Sequence, residues 1–229
     1  MNIQDYGLSF GSLKPISKNN IKRVVIHHFG TGKGYTIKDA HRDHSSSSRN
    51  HAGITEGLGY NGAVDIDGTK VKGRMWNQGA HCRGYNRDSF GVVTPGNFNE
   101  ETPSEKVLQS MAEFTAFVLT ECGLEVNKKT VVGHRDLGST SCPGDNFDMD
   151  AFRDRVKKVI NGEEEEEEMF EPSYRSLRED TIDLLEKWSS DEQRNPINKE
   201  YAEKVKKGEA TNSDVIAALF SAIKRGDIL

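Results

Sequence analysis

Three cysteines in 229 residues are too few, and odd in number, for a disulfide framework, so nothing in the chain calls for an oxidising compartment. Long apolar runs are missing as well. No stretch approaches the roughly 20 residues that a bilayer-spanning helix requires, so no membrane span is expected. Met1-Asn2-Ile3-Gln4-Asp5-Tyr6 has neither a basic leader nor a continuous apolar segment, and no secretory signal is expected from it. Strong charge bias is absent too: 31 Lys+Arg face 36 Asp+Glu, a net charge of −5, and nothing marks a nucleic-acid surface.

The charge that is present is unevenly placed. Residues 1–162 hold 21 Lys+Arg against 18 Asp+Glu, Glu163 to Glu168 are six adjacent acids, and residues 169–229 hold 10 against 12. A mildly basic first part tolerates an anionic surface, although +3 is too small for strong electrostatic targeting. Six like charges repel at helical spacing, so the acidic run reads as a solvated linker. With 34% hydrophobic residues, the chain can bury one substantial core and a small second module. The expected division is 1–162, a linker at 163–168, and 169–229.

Within the first part, Lys22 to His28 reads as a strand and Thr36 to about His44 as a helix, with the Ser-rich stretch from Ser45 as loop. Gly62 to Ile66, the turn Asp67-Gly68 and Thr69 to Gly73 read as a hairpin. Phe90 to Val93 is another short strand. Ser104 is suited to capping a long helix whose apolar positions Val107, Leu108, Met111, Phe114, Val118 and Leu119 stop before Gly123. A second amphipathic helix covers Asp148 to Ile160, and Thr130 to Val132 forms a strand before it. Alternating strands and helices predict an α/β fold with a mixed central sheet flanked by helices. The 169–229 segment predicts a small all-α module of three helices, either for targeting or for homodimerisation.

His134 and Cys142 are the residues most suggestive of chemistry. They place an imidazole and a thiolate eight residues apart, a pair that zinc favours. Val24-Val25-Ile26-His27-His28 is a second β-branched strand ending in histidine. Side chains alternate along a strand, so only one of His27 and His28 should reach a shared metal, the other being a buried histidine satisfied by a backbone carbonyl. Two imidazoles and one thiolate leave a fourth position open on Zn2+ and a net charge near +1, which suits activation of water and polarisation of a carbonyl.

These residues resemble the zinc-dependent N-acetylmuramoyl-L-alanine amidases shared by phage lysins, bacterial autolysins and animal peptidoglycan recognition proteins. The resemblance covers roughly residues 20–160. It rests on four ordered blocks: Val25-Ile26-His27-His28, Gly57-Leu58-Gly59-Tyr60-Asn61, Gly79 to Asn86, and Gly133 to Gly144. It selects His27 as the metal ligand beside His134 and Cys142. It also implies catalytic roles for Tyr60 and Thr140, and a substrate contact for His81, with Arg74, Trp76 and Asn86 as further groove residues. Trp76 can stack on a sugar or cap the core; His41, His44 and His51 read as solvated.

Two positions depart from relatives. Thr140 stands where some phage enzymes carry lysine, and Ser89-Phe90-Gly91-Val92-Val93 lacks the glutamate that some autolysins carry. Asp136 either orients the histidine beside it without touching the metal or forms a salt bridge with Arg135. The resemblance implies an endolysin-like peptidoglycan hydrolase, made in a host cytoplasm and acting on the cell wall after release. The alternative is a non-catalytic peptidoglycan-binding module with a structural zinc.

Overall fold

A computed structural model describes residues 1–45 and 57–162, together with Lys204, Lys207 and Thr211. The chain divides into two compact units, Met1–Glu164 and Glu165–Leu229. The acidic linker from Glu163, the three-helix module with its targeting or homodimer roles, and His51 lie outside the described residues.

The first unit is built on a five-stranded sheet. In chain order the elements are β1 (Arg23–His28), α1 (Ile37–Ser45), β2 (Gly62–Val64), β3 (Lys70–Lys72), β4 (Ser89–Thr94), α2 (Glu105–Cys122), β5 (Val131–Gly133) and α3 (Met149–Asn161). The strand order is β3-β2-β4-β1-β5, with β2-β3 antiparallel and the other pairs parallel. The mixed sheet flanked by helices is the architecture expected from the sequence.

Alternation along the strands separates two cores. Val24 and Ile26 of β1, Phe90 and Val92 of β4, and Val64 of β2 face α2 and α3, where they meet Met111, Phe114, Val118, Phe152 and Val156. Each of these fully buried rings and branched chains stabilises by roughly 1.5–3 kcal/mol relative to exposure. The opposite face packs Val93, Ala63 and Val71 against Ile37, Ala40 and Leu58. Parallel strands covered on both sides should be apolar throughout, and β4 is buried at all six positions.

Local chemistry ends the helices where the sequence indicates. Ser104 accepts the Val107 amide at the start of α2, and the Asp148 carboxylate accepts the Asp150 and Ala151 amides at the start of α3. Gly123 and Gly162 take the left-handed conformation that closes each helix.

Residues 1–20, which carry no regular apolar pattern, nevertheless join the sheet. Gln4 exchanges backbone hydrogen bonds with β3, its amide to the Lys70 carbonyl at 2.8 Å and its carbonyl from the Lys72 amide at 2.9 Å. Further on, Lys14 and Ile16 bond to Gln78 and Trp76. At the other side of the sheet, the outward groups of β5 are met locally. The Val131 amide donates to the Asn127 carbonyl, the Val131 carbonyl accepts Arg153 Nε at 2.8 Å, and the Gly133 amide donates to Asp136. No described helix is long and apolar enough to cross a membrane.

Candidate metal centre

Register brings the first two candidate ligands together. Ile26 of β1 is paired with Gly133 of β5, so His27 and His134 follow side by side at the C-terminal ends of parallel strands, their ring centroids 4.6 Å apart. This is the rim where open α/β sheets place their sites. After β5 the chain makes a 3-10 turn over His134–Asp136 and a loop that returns Cys142, whose carbonyl accepts the Arg135 amide at 2.7 Å. Cys142 Sγ reaches 3.6 Å from His27 Nδ1. The ligand atoms of His27, His134 and Cys142 all lie within 4.8 Å of one another, with His27 and Cys142 buried.

Comparison with known proteins decides the family. The sequence pattern of the N-acetylmuramoyl-L-alanine amidases matches residues 17–145. The chain belongs to this amidase family. It is 38% identical to the N-acetylmuramoyl-L-alanine amidase of Sus scrofa over 89 residues, 38% of this chain and 15% of that protein. Peptidoglycan-recognition protein SC2 of Drosophila simulans is 34% identical over 91 residues, 39% of this chain and 49% of that protein. The chain therefore spans half or less of either relative. In fold it is similar to the N-acetylmuramoyl-L-alanine amidase LysC from Clostridium intestinale URNW, with TM-score 0.58 and 24% identity over 69% of this chain and 98% of that one. Bumblebee PGRP-SA gives TM-score 0.55 and 24% identity over 69% and 95%.

In this amidase-family chain the supports of the centre are mostly residues that the sequence left unassigned. Arg135 clamps the Cys142 loop through the Gly144 carbonyl at 2.8 Å and the Phe147 carbonyl at 3.1 Å. Asp136 does not pair with Arg135; it accepts the Gly133 amide and so fixes the turn that aims His134. His28 points to the other face, as strand alternation predicts, but its partner is an amide rather than a carbonyl: Phe98 N–H donates to Nδ1 at 3.0 Å. Asn61, fully buried, accepts the Gly91 amide and donates to the Met75 and Asn77 carbonyls, tying β4 to the segment after β3.

Tyr60 enters the site from the segment before β2, its ring 5.0 Å from that of His27. That segment is held by α1: His41 Nδ1 accepts the Leu58 amide at 3.1 Å, and His44 Nδ1 accepts the Gly59 amide at 3.0 Å. His41 and His44 are therefore not the solvated histidines expected. Their helical i,i+3 spacing was the signal that both could face one segment. Thr140 lies exposed at the rim, its Oγ1 accepting the Cys142 amide at 3.2 Å.

The structure gives the four expected groove residues other work. Arg74 is only 2% exposed, and its guanidinium donates to the Leu58, Gln78 and Gly57 carbonyls, knitting loops together. Trp76 packs on Phe90 and Phe117, on the α2 face of the sheet and so opposite His27. Asn86 Oδ1 accepts the His81 and Cys82 amides, bracing their loop. His81 has no open polar atom for a substrate: Nδ1 is engaged by His27 at 3.0 Å and Nε2 is buried.

Burial sets the protonation states. It pushes the Cys142 thiol up to about 12, against the weaker opposing pull of the His28 amide and Arg135. A thiolate here therefore calls for a cation, and two neutral imidazoles beside one sulfur are a donor set that suits Zn2+. Burial, aided by neighbouring imidazoles, also holds His27 well below its ordinary value and brings His81 from 6.5 down to about 3.

The sign of the pH dependence follows for the metal-free chain. Below about 6.5 the unfolded chain binds protons that folded His81 refuses. This stabilisation is therefore complete above 6.5 and is lost progressively as pH falls toward about 3. Between pH 7 and pH 5 the loss from this one group is about 2 kcal/mol. Chelator-treated protein is expected to melt at a lower temperature at pH 5 than at pH 7, and equal melting temperatures would contradict the buried neutral imidazole.

Proposed function

We propose that the chain is a zinc-dependent, endolysin-like peptidoglycan hydrolase. Its substrate bond is the amide between the lactyl group of N-acetylmuramic acid and the L-alanine that begins the stem peptide. The observation that carries this reading is the convergence of His27, His134 and Cys142 at one sheet rim in a chain of the amidase family. Three protein donors are the number that catalytic zinc sites use, whereas structural sites close with four.

When bound, zinc polarises the scissile carbonyl and makes water a nucleophile near neutral pH. His27, His134 and Cys142 fix where that happens. Burial first, and then the Cys142 sulfur, raises the Tyr60 phenol above its ordinary value, so it stays protonated and can donate to the oxyanion that develops. Thr140 spends a lone pair on the Cys142 amide and keeps its O–H for a second donation. In the endolysin reading the chain acts on the wall after leaving the cytoplasm where it was made.

The recognition proteins among the relatives favour a second reading, binding without cleavage. Cys142 weighs against it, because it completes a three-donor set that would leave one zinc position open for water. Mass spectrometry of peptidoglycan digested by the zinc-loaded chain tests both. Free stem peptides beginning with L-alanine, with intact glycan strands, are expected. Cut sugar chains or cut cross-bridges would reject the assignment, and retention on the wall with no new ends would favour the binding module.

A further inference from the structure

His81 sits on the site face of the sheet with its ring laid against Gly79 and Gly91. A Cβ at Gly79 would lie 2.4 Å from the ring carbon Cδ2, and one at Gly91 within 2.6–2.7 Å of Cδ2, Cγ and Nδ1. Asn86 holds the backbone on either side of it through the His81 and Cys82 amides, each at 2.9 Å. Space and backbone alike are thus arranged for this one ring, although it ligates nothing and opens no nitrogen to the groove. Its one polar contact is His27 Nε2 at 3.0 Å.

The other nitrogen of His27, Nδ1, faces Cys142 Sγ at 3.6 Å. A metal shared with Cys142 would take the His27 lone pair on that side, and the single proton of the neutral imidazole would then sit on Nε2. That N–H then needs an acceptor, and His81 Nδ1 is where it points. We propose that His81 is a positioning residue for the metal: its Nδ1 accepts the His27 Nε2–H and thereby holds His27 in the tautomer and orientation that present Nδ1 to the ion. Outer partners of this kind typically change metal affinity by about 10- to 100-fold.

This inference rests on the zinc-site reading given above, and its test reads zinc binding rather than hydrolysis. Zinc dissociation constants are measured by competition with a chromophoric chelator for the full chain and for His81→Leu and His81→Asn, with circular dichroism as the check on folding. His81→Leu is expected to bind about 10- to 100-fold more weakly. His81→Asn, whose Oδ1 replaces the Nδ1 acceptor, is expected to recover most of that loss.

Equal affinity in His81→Leu and the parent would overturn the proposal while leaving the zinc site standing. Failure of the parent chain to bind zinc would overturn both. Should His81→Leu fail to fold, long-range ¹H–¹⁵N correlations of the histidine rings in the zinc-loaded parent decide instead. A proton on His27 Nε2 and none on His81 Nδ1 supports the assignment, and a proton on His81 Nδ1 defeats it.

Discussion

Serine at position 142 is expected to reduce amide hydrolysis by on the order of a thousandfold or more and to weaken zinc binding, while leaving the fold in place. The substitution is nearly isosteric, but a serine hydroxyl does not ionise near neutrality and is a poor ligand for a borderline ion. Fold retention follows from the core: the α2 face and the α1 face of the sheet are packed by apolar side chains that do not include the ligands. A linked result is expected in the parent chain. Its thiol, held at about 12 by burial, carries a proton at neutral pH, so zinc uptake should release close to one proton, measurable by calorimetry in buffers of different ionisation enthalpy. Cys142→Ser should lose that release. A variant that keeps hydrolysis, or that unfolds on zinc removal along with the parent, would argue for a zinc that only staples the structure.

Removing the Tyr60 hydroxyl should separate chemistry from binding. Tyr60→Phe is expected to lower kcat by about 10²- to 10³-fold, the usual cost of one oxyanion donor, with the zinc dissociation constant unchanged. Its ring makes the packing contacts, standing edge-on to His27 and near Phe29 and His44, and phenylalanine preserves all of them. The hydroxyl has no hydrogen-bond partner among the described residues, so its loss should shift the melting temperature little. Steady-state kinetics with a muramoyl-peptide substrate, run beside zinc titrations, checks the separation. Unchanged kcat would remove Tyr60 from the chemistry and leave Thr140 as the donor to examine.

Much of the architecture was legible because the relevant signals are local. Continuous apolar runs marked β1 and β4, Asp67-Gly68 marked the β2-β3 turn, and Ser104, Gly123 and Asp148 marked helix ends that the structure places within a residue. The gathering of His27, His134 and Cys142 was legible too, since each lies at a strand end or in a short Cys-Pro-Gly loop, and parallel pairing of β1 with β5 does the rest. Groove residues were not. Whether Arg74 turns its guanidinium toward solvent or toward three backbone carbonyls depends on loops that approach it from residues 57, 58 and 78, which no local pattern encodes. Trp76 was ambiguous for the same reason, and the aromatic pair Phe90 and Phe117 settles it on the far side of the sheet. His41 and His44 looked solvated because their neighbours are polar, but polar neighbours say nothing about two amides arriving from residues 58 and 59.

The bonds that Gln4 makes with Lys70 and Lys72, and those that Asn127, Arg153 and Asp136 make with β5, have a consequence for assembly. Among the described residues they engage both margins of the sheet, so neither offers a free ladder on which a stranger's extended chain can zip. A peptide that meets this sheet is then expected to be held by side chains at the rim instead of being enrolled as another strand. The same closure guards this sheet against fibre-like stacking, a useful safeguard for a sheet whose core is apolar on both sides.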